Sequence, residues 1–136
     1  MAETEKLTIN MNPVELGTID LLVEQGFYSN RTDFIRAAIR SQLNTHADEV
    51  KKTAARKASL IGIMFCNRKL LEAATAGGTM VDIRVIGMVK IADDVTPELA
   101  RATIRSFEVN GVIRAPKAVL AAISDRMGKS GAFFGK

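Results

Sequence analysis

From Lys6 to Met11 polar and apolar residues alternate, in a stretch that reads KLTINMNP to Pro13, and Asn12-Pro13 ends the alternation. Period two predicts a short strand with Leu7, Ile9 and Met11 on one face and Lys6, Thr8 and Asn10 on the other. The period then lengthens. Asn12 is a good helix cap and Pro13 suits a first helical position, where a missing N–H costs nothing. Leu16, Ile19, Leu22 and Val23 follow at helical spacing, and Gly26 is a natural residue to end that helix. Ser29 marks the next start, with Thr32 and Asp33 in the first turn. Phe34, Ile35, Ala38, Ile39 and Leu43 line one face of this second helix, while Arg36 and Arg40 lie four apart on another.

Strand, helix, turn and helix thus occupy about 40 residues, too few to bury a core alone. The strand has no partner within its own first 45 residues, and an unpaired edge must be satisfied. The economical solution is the same strand from a second copy, related by a two-fold axis. The two strands would form an antiparallel ribbon with Leu7, Ile9 and Met11 toward the helices and Lys6, Thr8 and Asn10 outward. A ribbon of that kind fits the major groove of B-DNA, where base edges offer partners to Lys, Thr and Asn. Taken alone, the polar face of a strand is simply solvated; the strand-helix-helix setting is what turns it toward DNA.

Residues 5–44, EKLTINMNPVELGTIDLLVEQGFYSNRTDFIRAAIRSQLN, resemble the ribbon-helix-helix family of DNA-binding proteins of the MetJ/Arc/CopG type. The resemblance rests on the alternating strand, the helix opening after Asn12-Pro13, the GFYSNRTDFIRAAIR block and their spacing. It implies an obligate dimer whose ribbon reads bases and whose second-helix starts hold phosphates. Carried over by position, it makes Lys6, Thr8 and Asn10 the base readers, and Ser29, Asn30, Arg31 and Thr32 the phosphate clamp.

Past Leu43 the pattern dissolves. Residues 44–58, NTHADEVKKTAARKA, are polar and read as a linker or an extension of the second helix. Beyond them apolar strands recur around glycine: LIGIMFCN at 60–67, VIGMVKIA at 85–92 and VNGVIRAP at 109–116. Gly62, Gly87 and Gly111 are spaced by 25 and 24 residues, and each is followed by a leucine-bearing segment, RKLLEAA, TPELARATI or KAVLAAI. Self-similarity at this period predicts a solenoid-like unit of one strand and one short helix per coil, with the strands in a parallel sheet. Thr96 and Pro97 predict a helix from Pro97 to about Ile104. Asn110-Gly111 carries a competing hairpin signal. The glycine-centred segments loosely resemble the short-repeat β-solenoids of polymer-forming bacterial proteins such as bactofilins, without a shared sharp motif.

The fold class so read is α+β: a ribbon-helix-helix unit at 1–45, a linker or helix extension at 46–58, a β-rich repeat unit at 59–125 and a glycine-rich flexible tail at 126–136, in which Phe133-Phe134 could dock on a neighbour. Composition adds a tension. The net charge of the whole chain is +4, yet residues 1–45 hold four Lys/Arg against six Asp/Glu. The excess of positive charge sits in the remainder, with Lys51, Lys52, Arg56 and Lys57 clustered, so the case for DNA rests on pattern rather than on basicity.

Candidate chemistry is sparse. Cys66 is the single cysteine, which excludes an intramolecular disulfide and reads as a small buried residue. His46 is the single histidine, so no His-cluster metal site can form, and it reads as a solvated linker residue. Asp93-Asp94 reads as a solvated turn or cap. Gly128-Lys129-Ser130 lacks the glycine a Walker loop needs five residues earlier, where Ile123 stands. The start MAETEKL has no apolar core, so no signal peptide is expected, and no apolar run reaches membrane-spanning length.

The sequence therefore predicts a non-enzymatic, cofactor-free, cytoplasmic and nucleoid-associated regulator, most simply a repressor. It would bind double-stranded operator DNA as a homodimer through residues 6–12, with further assembly through 59–125. A plasmid-partition centromere binder or an antitoxin would use the same fold. A structural protein that self-assembles through the C-terminal repeat is an alternative of a different class.

Overall fold

The computed structural model describes residues 4–127 and the backbone of 133–135. The chain divides into two compact units, Met1–Asp48 and Glu49–Lys136.

In the first unit, residues 4–12 lead into helix α1 (Pro13–Glu24). The Asn12 side chain caps α1 by accepting the Glu15 N–H at 2.8 Å. At the other end Gly26 adopts a positive φ of 86°. The Gly26 and Phe27 N–H groups donate to the carbonyls of Val23 and Leu22, each at 3.0 Å, which closes the helix in a Schellman arrangement. Helix α2 (Arg31–Thr45) packs against α1, with Ile19 buried. Tyr28 and Phe34 meet edge to face, with ring centroids 5.0 Å apart.

The cap of α2 is Asn30, not Ser29. Asn30 Oδ1 accepts the Asp33 N–H at 2.8 Å, and the Asp33 carboxylate accepts the Ser29 N–H at 3.0 Å. Ser29 and Asn30 are both good caps by residue type. The acidic residue three positions after Asn30 decides between them, because it returns a second bond to the incoming backbone.

His46 ends α2, and residues 47–57 form a separate helix, α3 (Ala47–Lys57). The second unit continues as β1 (Leu60–Cys66), α4 (Arg68–Ala76), β2 (Val81–Ile91), α5 (Pro97–Thr103), β3 (Ile104–Arg114), α6 (Lys117–Ala122), a 3-10 turn at Ser124–Arg126 and β4 (Phe133–Gly135). Thr96 caps α5, accepting the Leu99 N–H at 3.1 Å. The four strands form one parallel sheet in chain order, β1-β2-β3-β4. The Asn110-Gly111 hairpin does not form, since β3 runs straight through both residues.

The glycines align. Gly62 pairs with Gly87, and Gly87 with Gly111, all with φ between 131° and 147°. Strands β2 and β3 begin several residues before the glycine-centred segments, because Val81 to Arg84 pair with Ile104 to Glu108. Along each strand the core-facing set alternates with the other face. Ile83, Val85, Val89 and Ile91 on β2 and Phe107, Val109 and Ile113 on β3 are buried with Leu71, Ala100, Val119 and Ile123 of the helical layer.

Helix α3 approaches the opposite face. Its Lys57 amine reaches Glu108 at 3.0 Å, and its terminal carbonyl accepts from Arg84 at 3.1 Å. Glu49, Val50, Thr53 and Lys57 of α3 line a shallow groove with Ile86 and Asn110 of the sheet. At the start of the strands the Arg105 guanidinium and the Ser106 hydroxyl both bond the Asp82 carboxylate. In the proposed tail, the backbone of Phe133–Gly135 pairs in parallel with Val112–Arg114; Gly128-Lys129-Ser130 lies outside the described residues.

Candidate nucleic-acid interface

Lys6, Thr8 and Asn10 are exposed on the segment leading into α1. Leu7 and Ile9 between them are also exposed, at 80% and 67%, while Met11 is partly covered. Asn12 holds extended angles (φ −72°, ψ 156°), so the chain enters α1 from an extended backbone.

Ser29, Asn30, Arg31 and Thr32, the positions predicted to bind phosphate, lie at the start of α2. Helix-start N–H groups lack intrahelical acceptors and favour anions. Two donors here already have side-chain acceptors: Ser29 N–H donates to Asp33, and Asp33 N–H to Asn30. Arg31 and Thr32 occupy the first two helical positions, and both are exposed. The Arg31 guanidinium meets Asp20 of α1 with both of its forks, Nε to Oδ1 at 2.7 Å and an outer nitrogen to Oδ2 at 2.8 Å. That hydrogen-bonded pair lowers the Asp20 pKa and raises that of Arg31. The pair is half exposed, so Arg31 keeps a face toward solvent.

Sequence reasoning placed Asp33 in the first turn but not its bond to Ser29, and it missed Asp20. Asp33 was legible as the acidic partner in a capping spacing. The pairing of Asp20 with Arg31 spans eleven positions and two helices, with no local signal.

Outside the first unit, Lys51, Lys52 and Arg56 of α3 are exposed, and Lys57 is engaged with Glu108. Cys66 is buried, its thiol pushed up by that burial and by the nearby charge of Asp94. Asp94 accepts the Arg68 N–H at 3.1 Å at the start of α4, which accounts for one half of the acidic pair. Among the described residues no cluster of three or more His, Cys, Asp or Glu could hold a metal ion. No helix among them is long and apolar enough to cross a membrane.

The model of the ribbon-helix-helix transcriptional regulator family matches residues 2–120. The chain belongs to that family. Ribbon-helix-helix regulators bind DNA, typically as dimers, and the match includes the exposed segment before α1. The match also runs on past the resemblance at 5–44. It includes α3, β1, β2 and β3, so three of the four strands of the parallel sheet lie within this ribbon-helix-helix match and β4 lies outside it. No curated protein and no solved structure matches the chain.

Proposed function

We propose that this ribbon-helix-helix regulator is a sequence-specific repressor that reads operator DNA as a dimer. Lys6, Thr8 and Asn10 read base edges from a two-stranded ribbon made by two copies. Ser29, Asn30, Arg31 and Thr32 fix the register on phosphates.

The observation that carries this reading is the surface of the first unit. A single copy leaves Leu7, Ile9, Val14, Phe27, Ile39 and Leu43 at least half exposed, an unusual load for a unit of this size. Pairing two copies through residues 6–12 would cover Leu7 and Ile9, each contributing on the order of 2 kcal/mol when fully buried. The polar alternates then face outward as a set. Asn pairs most readily with adenine and Lys with guanine. The exposed Lys51, Lys52 and Arg56 offset the negative balance of the first 45 residues and supply sequence-independent affinity.

The second unit serves assembly. Its strands stack with their glycines in one row, which leaves β1 as an edge. That edge also favours a second reading, in which the sheet self-assembles as a structural element and the ribbon only dimerises. Selection of bound sites from a random duplex pool separates the two. Enrichment of a two-fold-related motif supports the repressor; recovery of unenriched DNA, or of none, overturns it.

A further inference from the structure

The outer edge of the sheet has no protection of the usual kind. Edge strands are commonly blunted by lysine, proline or inward charges. LIGIMFC, which forms β1, contains no charged residue and no proline. Its exposed side chains are Leu60, Ile61, Ile63 and Phe65, and Phe65 is 62% exposed. Ile61, Ile63 and Phe65 share one face of the strand, opposite the face that Met64 and Cys66 turn to the core.

The backbone of β1 points to the same conclusion. A Cβ on Gly87 would collide with the Gly62 carbonyl, and one on Gly111 with the Gly87 carbonyl. Each glycine thus faces the preceding strand at a distance no side chain allows. Gly62 holds the same conformation, and the space on its side is open.

Ile61, Ile63 and Phe65, the exposed residues on that one face, are arranged symmetrically about Ile63. Laid antiparallel on itself about a two-fold axis through Ile63, β1 places Ile63 opposite Ile63, and Ile61 opposite Phe65, twice. Aromatic with β-branched pairing of this kind stabilises antiparallel ladders. The strand is neutral, so the approach of two copies carries no like-charge cost. A second copy is also the partner at hand: ribbon-helix-helix regulators are typically dimers, and a linked copy meets this edge at an effective concentration of roughly millimolar.

We propose that β1 pairs antiparallel with β1 of a second copy, centred on Ile63, so that two four-stranded sheets join into one. This deepens the assembly role given to the second unit above and rests on it.

Cysteine cross-linking in the full chain tests the register, on a Cys66→Ala background so that the introduced thiols are the only ones. Residues directly opposite in an antiparallel pair lie within disulfide reach. Ile63→Cys should give a covalent dimer under mild oxidation. Ile61→Cys and Phe65→Cys should each stay monomeric on a denaturing gel, and the double variant Ile61→Cys/Phe65→Cys should cross-link. Ile61, Ile63 and Phe65 are exposed, so the fold tolerates changes there, and Cys66→Ala alone serves as the folded reference for the buried site. Loss of the Ile63 cross-link, or equal cross-linking at all three single sites, overturns the proposal. DNA binding of the same preparations keeps the two readings apart. Operator binding without the Ile63 cross-link defeats the β1 interface alone, and the cross-link without operator binding defeats the repressor reading alone.

Discussion

Gly87 faces the carbonyl oxygen of Gly62 across the β1–β2 ladder, closer than any side chain would permit. The same relation repeats between Gly111 and Gly87. Gly87→Ala and Gly111→Ala should each destabilise the second unit by roughly 2–4 kcal/mol, from positive-φ strain plus the backbone collision. Gly62→Ala has the strain and not the collision, and should cost about 1–2 kcal/mol. Urea unfolding of the three variants checks the order.

Asp82 makes the sheet sensitive to acid. Hydrogen bonds from Arg105 and then Ser106, with the charges of Arg105 and Arg84, hold its carboxyl far below the usual carboxylate range. A depressed folded pKa means the contribution is complete above the unfolded value near 4 and is lost as pH falls below it. Asp82→Asn should therefore lower the melting temperature at pH 7. The gap to the parent protein should narrow as pH drops below about 4. Melts across that window measure it.

Cys66 should be inert in the folded protein. Its thiol is buried and its pKa raised, so little thiolate forms near neutral pH and reagents have no path to it. Thiol-reagent labelling should follow the unfolding rate and become rapid only in denaturant.

Arg31 should act on affinity without acting on sequence preference. Arg31→Ala should weaken binding to every duplex by a similar factor and reduce the salt slope by about one. Asp20→Asn frees the guanidinium from its carboxylate and should raise nonspecific affinity. Titrations at several salt concentrations separate these effects from a change in motif.

Much of this architecture was legible in the chain. The change of period at Asn12-Pro13 placed the start of α1, whereas the period-two stretch before it forms no strand in the single copy. The spacing of Gly62, Gly87 and Gly111 anticipated strands aligned on glycine. It did so because Gly87 and Gly111 must each meet the preceding strand's backbone, a constraint that fixes residue type and register. The early starts of β2 and β3 were missed, since alignment on glycine keeps only what all three strands share. Strands β2 and β3 extend each other through Val81 and Ile104, while β1 begins just after the turn at Ala58, whose φ is 53°. Ser29 to Thr32 were legible as a helix start. The Asp20 partner of Arg31 was not, because its contact depends on how two helices pack.

In the proposed function the outward residues of the 6–12 segment read bases. The most direct measurement is the ratio of affinities for a selected site and a scrambled one, taken for the parent chain and for Thr8→Ala and Asn10→Ala. A lost base contact should lower that ratio by about 1–3 kcal/mol per substituted side chain, with affinity for scrambled DNA little changed. An unchanged ratio in both variants would show that these side chains do not read bases.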